Sequence, residues 1–417
     1  MASASPYAPV PRGSRPAVVI TGMGAIGALG HDAPTFWQGL VAGRSGIGAL
    51  EHPRAAELRV HVAAQVRGFD PAASIDARSL ALMDRVSQFA FVAAREAVAQ
   101  AGLDISTVAP TRIAVIVGTG VGGETSRDEE SRRLYAEGAV RVHPLSIVRS
   151  MASAPASHIA TAFGAKGPVF AVTSACASAN HAIAQAALLI RAGMADVVIA
   201  GGSEACLGYA VLRAWEAMRV LADDTCRPFC EQRRGLVLGE GAGMFVIEPA
   251  AHAGRRGASP LAELAGVGMS SDAGDIVAPS SDGAAIAMQA ALADAGMAPG
   301  DIDHINAHGT GTAANDVTET RAIHAAFGTH AGRIAVTSTK SMHGHALGAA
   351  GALELVATLG ALREGIVPPT ANFLDRDPAC DLDVVVGEAR RMRVRAALSN
   401  SFAFGGLNAV LALRQPA

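Results

Sequence analysis

VFAVTSACASANHAIAQAALLIRAG (residues 169–193) and RIAVTSTKSMHGHALGAAGALELVATLGALREG (residues 333–365) share one design. Each opens on a short β-branched run, passes through V-T-S, turns through a loop of small residues and enters an Ala-rich helix. The segments before them also correspond. RIAVIVGTGVGG at 112–123 runs into an acidic helix, and HINAHGTGT at 304–312 runs into NDVTETRAI. This repeat predicts two similar α/β units, 17–258 and 259–417. Packed together, they bring equivalent loops to one cleft, with Cys176 from the first unit near His308, Lys340 and His345 from the second.

Outward from this repeat, β-branched runs predict strands at 17–21, 112–117, 169–173, 196–200, 243–247, 302–306, 333–337 and 394–399. Helical patterns lie at 83–101, 177–193, 283–296, 315–327 and 347–363. The chain has 417 residues, half of them apolar but only 4% aromatic, with 46 glycines. Its core is therefore aliphatic, with many close backbone approaches. The net charge of -3 gives no reason to expect nucleic acid or an anionic membrane as partner. No apolar run is long enough to span a bilayer. Residues 1–16 are rich in Ser, Ala and Pro, lack the apolar stretch of a secretory signal and read as a disordered tail. An odd number of irregularly spaced cysteines fits a reducing cytoplasm better than a disulfide framework. Cys226 and Cys230 lack a second pair at zinc spacing and read as structural.

Four short segments carry chemistry. Cys176 follows a strand and starts a helix, where unpaired N–H groups and the helix dipole favour thiolate over thiol; its bland reading is a small buried hydrophobe. His308 ends a strand and enters a Gly/Thr loop in which Thr310 and Thr312 offer hydroxyls, with Asp316 and Glu319 on the next helix; it also reads as a strand-end cap. Lys340 is one of only two lysines among 34 basic residues, so it marks a place where arginine would not serve. His343 and His345 follow it, and Glu354 lies where it can reach back to the lysine; the loop also reads as a basic surface turn. Finally, S-N-S-F-A-F-G-G-L-N at 399–408 ends a strand in a glycine turn. Phe402 and Phe404 there are either pocket walls or core.

In combination these motifs resemble the β-ketoacyl-(acyl carrier protein) synthases, elongating condensing enzymes of the thiolase superfamily. The resemblance runs from about Ala17 to Leu413. It rests on the Cys loop at 173–179, A-H-G-T-G-T at 307–312 and K-S-x-x-G-H-x-x-G-A-A-G at 340–351, with V-L-G-E-G-A-G (237–243) and S-F-A-F-G-G (401–406) in the same style. It implies a duplicated thiolase-like fold layered αβαβα. The family's Cys–His–His set falls on Cys176, His308 and His345, its supporting Lys and Glu on Lys340 and Glu354, its acidic position on Asp316 and its gating Phe on Phe404. S-A-C stands where T-A-C is usual, and Ala403 and Leu407 replace the usual Gly and Thr. The segments W-E-A-M-R-V-L (215–221), D-T-C-R-P-F (224–229) and C-D-L-D-V (380–384) look nearer the nodulation protein E branch than housekeeping synthase II.

The resemblance implies decarboxylative condensation of malonyl-acyl carrier protein with a Cys176-bound acyl chain, giving a 3-oxoacyl product. The backbone N–H groups of Cys176 and Phe404 would hold the oxyanion, and Thr310 and Thr312 the phosphopantetheine arm. No organic cofactor or catalytic metal is needed; a structural monovalent cation is compatible. The implied partners are acyl carrier protein and a second copy of the chain. Two other readings stay open: a ketosynthase of a specialised lipid or polyketide pathway, paired with a second subunit, and a coenzyme A-dependent thiolase.

Overall fold

The computed structural model describes residues 15–416. All but the last two residues of the expected N-terminal tail lie outside them. The principal elements of the first part of the chain are β1 (Val18–Ile26), α1 (Arg85–Gln100), β2 (Ile113–Gly118), α2 (Ala154–Phe163), β3 (Val169–Val172), α3 (Ser178–Arg191), β4 (Val197–Glu204) and β5 (Gly241–Pro249). There follow β6 (Ala262–Ser271), α4 (Ser281–Ala295), β7 (His304–Asn306), α5 (Ala313–Phe327), β8 (Ala335–Thr337), α6 (Ala350–Glu364), β9 (Asp383–Val384), β10 (Ala396–Ala403) and β11 (Leu407–Arg414).

Eleven strands hydrogen-bond in the order β9-β8-β7-β10-β11-β6-β1-β5-β4-β2-β3. Read from the centre, β1-β5-β4-β2-β3 and β6-β11-β10-β7-β8 have the same topology. In each, the first two pairings are antiparallel and the next two parallel. The joint between them is short: Val19 opposite Glu263 and Ile20 opposite Ala262.

The strands are apolar on both faces, which sorts the core into layers. Ile113, Val115 and Val117 of β2 pack with α1 and α2, whereas Ala114 and Ile116 face α3 and α6. In the second sheet Val410 and Ala412 of β11 pack with α4 and α5, and Leu411 and Leu413 face the central helices. The result is helix, sheet, helix, sheet, helix. α6 lies in the middle and is buried from Ala350 to Leu362. Among the described residues no helix is long and apolar enough to cross a membrane.

Three strands escape the sequence pattern: β6, the two-residue β9 and β11. β6 reads AELAGVGMSS and looks too glycine-rich for a strand. The glycines are there because a helix crosses the strand at backbone contact. A Cβ on Gly266 or Gly268 would collide with the carbonyl oxygens of Ala291 or Ala287 in α4. β1 repeats the device: a Cβ on Gly22 or Gly24 would strike the carbonyl oxygens of Ala97 and Ala93 in α1.

This packing sets the two central helices side by side with their N-terminal turns together. Ala175–Ala177 leads into α3 and Leu347–Ala349 into α6, both as single 3₁₀ turns. Each turn begins with a non-glycine residue at positive φ, Ala175 at 49° and Leu347 at 41°.

Candidate active site

Cys176 sits in the turn before α3 with 5% of its surface exposed. His308 lies just beyond β7, and Lys340 opens a one-turn helix, Lys340–His343. His345 follows that turn and hydrogen-bonds through its backbone N–H to Val237 O at 2.7 Å. Cys176, His308 and His345 line one cavity. The two imidazoles stand edge to face, 5.4 Å between centroids and 82° between planes.

Lys340 does not reach the cavity. Fully buried, it binds the Glu354 carboxylate, His308 O at 2.6 Å and His308 Nδ1 at 3.4 Å. An ammonium has three donors and no lone pair. His308 Nδ1 is therefore an acceptor, and the imidazole proton sits on Nε2. Burial pushes His308 and His345 well below 6.5, and the Lys340 charge pushes them further the same way. Both rings are neutral donors at physiological pH.

The Gly/Thr loop is held from beneath. Glu319 accepts the backbone N–H groups of His308 and Gly309, each at 2.8 Å. Asp316 does not line the cavity. It accepts from Phe229 N at 2.8 Å and Gly311 N at 3.2 Å, tying the loop to a neighbouring segment in which Phe229 has φ 62°. Thr310 and Thr312 line the cavity 2.9 Å apart, hydroxyl to hydroxyl. His343 turns away, onto Thr339 Oγ1 at 2.9 Å.

Phe404 lines the cavity and packs against Trp215, 5.9 Å between centroids. Phe402 stands 6.1 Å from the His308 ring. Gly405 and Gly406, at φ 84° and 69°, close the β10–β11 hairpin beside them. Gly405 N donates to Ile276 O at 2.8 Å, which fixes the hairpin to the opposite lip. Cys226 Sγ donates to Thr310 O at 3.4 Å, and Cys230 Sγ donates to Gln232 Oε1 at 3.0 Å and accepts from Leu374 N at 3.4 Å.

One expectation is corrected. The helix start favours a Cys176 thiolate, but burial pushes this thiol up to about 12, against the lowering effect of Lys340. Desolvation of the charged sulfur outweighs the end of a helix. At rest Cys176 carries its proton, and attack requires that the proton leave the sulfur as the new bond forms. Trp215 and Glu204 (below) were not singled out by sequence. The only cue to Trp215 is rarity, one of two tryptophans.

Long-range ¹H–¹⁵N spectra of histidine-labelled protein should show His308 and His345 neutral at about pH 6, with His308 as the Nε2–H tautomer. Imidazolium shifts at that pH, or an Nδ1–H His308, would contradict this geometry.

The chain matches two family models, the β-ketoacyl synthase N-terminal domain over residues 15–253 and the C-terminal domain over residues 261–374. It is 52% identical to nodulation protein E of Rhizobium sp. (strain N33), covering 95% of this chain and 99% of that protein. It is 42% identical to 3-oxoacyl-[acyl-carrier-protein] synthase 2 of Synechocystis sp., covering 95% and 98%. Among solved structures it is similar to the ishigamide ketosynthase/chain length factor, with TM-score 0.92, 36% identity and coverage of 97% and 100%. A thiol and two neutral imidazoles on one cavity, in a doubled α/β layering, agree with those likenesses, and the chain belongs to the β-ketoacyl synthase family of thiolase-like condensing enzymes.

Proposed function

We propose that this protein condenses a Cys176-bound acyl group with malonyl-acyl carrier protein, releasing CO₂ and forming a 3-oxoacyl thioester. The observation that carries the reading is the meeting of the thiol with two neutral imidazoles whose protonation is set by burial and a buried lysine.

In the first step Cys176 Sγ attacks the acyl thioester carbonyl. Its proton passes to the departing phosphopantetheine thiolate as the tetrahedral intermediate collapses. The N–H groups of Cys176 and Phe404 stabilise the tetrahedral oxyanion. In the second, the malonyl C–C bond breaks, CO₂ leaves and the electron pair becomes an enolate. Its thioester oxygen takes hydrogen bonds from His308 and His345. The carbanion attacks the acyl-Cys176 carbonyl, and the Cys176 thiolate leaves and takes a proton from solvent. Neutral donors suit the enolate because they need not lose a proton to it. Thr310 and Thr312 bind the pantetheine arm. Phe404 gates the cavity against Trp215, and Lys340, Glu354 and Asp316 hold the second-half loops.

The identity to nodulation protein E exceeds that to the synthase 2 relative, which supports a specialised acyl chain over housekeeping synthesis. The five cysteines are all free and buried, which fits the cytoplasm. Replacement of Cys176 by Ala should abolish acyl-enzyme formation, read by intact-protein mass, while malonyl decarboxylation persists. His345→Ala should slow decarboxylation about 10²–10³-fold and spare acylation; normal decarboxylation by that variant would overturn the assigned roles.

A second copy of the chain pairs with the β3 edge. β3 ends the sheet with its residues, Phe170 and Val172 among them, only half buried. Nearby in sequence, Tyr135 is 87%, Val140 95% and Ile147 78% exposed. Light scattering should give twice the mass of one chain. A chain that stays monomeric at micromolar concentration would favour pairing with a different subunit.

Beside Glu354, buried oxygens lack protein partners: Asn306 Oδ1, Glu354 Oε2 and Ser399 Oγ. Asn306 pairs with Ser399 across the strands and donates to Glu354 O at 3.2 Å. This oxygen-rich set suits a monovalent cation bound to the Glu354 oxygen that Lys340 leaves free. Thermal unfolding should then occur at higher temperature in potassium or sodium salts than in tetramethylammonium at equal ionic strength; identical curves would rule the cation out.

A further inference from the structure

We propose that Glu204 is a positioning residue for condensation, clamping the turn that carries Cys176 to the half that carries the histidines. Glu204 ends β4 and is fully buried. Its carboxylate makes no ion pair among the described residues. Instead it accepts four hydrogen bonds from neutral donors. Oε1 takes Thr119 Oγ1 at 3.0 Å and Val121 N at 3.2 Å; Oε2 takes Gly120 N at 2.6 Å and Gly348 N at 2.8 Å. Three of these donors follow β2, and the fourth lies in the Leu347–Ala349 turn before α6.

Each end of this clamp leads to the reaction. On one side, Thr119 O accepts from Ser178 Oγ at 3.3 Å, and the same hydroxyl meets Ala175 O at 2.7 Å. Ser178 thereby braces the positive-φ turn that presents Cys176. On the other side, the turn held through Gly348 opens α6. That helix carries Glu354, which holds Lys340, which holds His308. A path of hydrogen bonds and helix therefore runs from the thiol turn through Glu204 to an imidazole.

The contact has no slack. A Cβ on Gly348 would collide with Gly120 N and come within 2.7 Å of Glu204 Oε2; one on Gly120 would lie 2.8 Å from the same oxygen. Four donors converging on one group need an acceptor-only side chain, and an ionised carboxylate is one. A neutral amide would turn an NH₂ towards backbone N–H groups and push the two turns apart. Burial raises this carboxyl to about 7, the cost the fold bears to keep four acceptor sites in one place.

Cys176 acylation does not draw on the His308 loop, and malonyl decarboxylation does not draw on the Cys176 turn. Carbon–carbon bond formation needs both at one distance, and misplacement by an ångström costs about a hundredfold. This inference rests on the condensing reaction proposed above.

The test compares wild-type, Glu204→Gln and the near-isosteric Thr119→Val in three assays. These are acylation of Cys176 by acyl carrier protein, CO₂ release from malonyl carrier protein by unacylated enzyme, and condensation by pre-acylated enzyme. Glu204→Gln should keep both half-reactions within about threefold and lose about a hundredfold in condensation kcat, with KM for malonyl carrier protein unchanged. Thr119→Val, which removes one donor, should show a smaller loss confined to the same step. Parallel loss in all three assays, tracking the folded fraction, would make Glu204 merely structural and overturn the proposal. So would condensation at the wild-type rate. A wild-type enzyme that yields no 3-oxoacyl product overturns the condensing reading itself, and the inference with it.

Discussion

A single buried charge organises this site. Lys340 is wholly withdrawn from solvent, and an unpaired ammonium there would cost several kcal/mol. Each of its three donors is therefore used, on the Glu354 carboxylate, on the His308 carbonyl and on His308 Nδ1. Satisfying the charge fixes the chemistry. The lysine binds the helix of Glu354 to the strand end of His308, forces the His308 proton onto Nε2 and discourages a second positive charge on either imidazole. A planar guanidinium could not aim three donors into so small a volume, which is why lysine persists here in a chain that otherwise uses arginine.

The duplicated topology supplies what one unit alone lacks. Two helices starting at the same level, from strained turns of the same kind, give one N-terminal turn to the thiol and the other to the second half of the site. The closeness of those turns depends on small residues. Gly118 meets the backbone of Ser178, and Gly348 meets Gly120. Composition and mechanism are linked in this way: the many glycines let backbones touch, and touching backbones let one carboxylate serve both halves.

Much of this was legible in the sequence where local pattern and burial agree. The β-branched runs at 112–117 and 196–200 gave strands because both faces are buried. The repeated V-T-S loops pointed to Cys176, Lys340 and His345 lying together. What failed to show was tertiary. The glycines of β6 look like strand breakers until α4 is laid across them. The protonation of Cys176 was misjudged because the helix end is visible in sequence and the desolvation is not. Asp316 was visible as an acid but not as a backbone clamp. Glu204 reads as the last residue of a V-V-I-A-G-G-S-E strand, and Gly348, its partner from the other half, lies 144 positions away.

The central claim is that one thiol and two neutral imidazoles act in sequence on carrier-bound acyl and malonyl groups. The most direct measurement is a single turnover followed by mass spectrometry. The enzyme is loaded from a panel of acyl carrier proteins, freed of excess, and mixed with malonyl carrier protein. The account predicts one acyl group on the peptide containing Cys176. On mixing, that group should leave as a 3-oxoacyl carrier protein two carbons longer, with one CO₂ released per product. Acyl groups that remain on the peptide, leave as free acid, or are taken up and extended only with coenzyme A would contradict it.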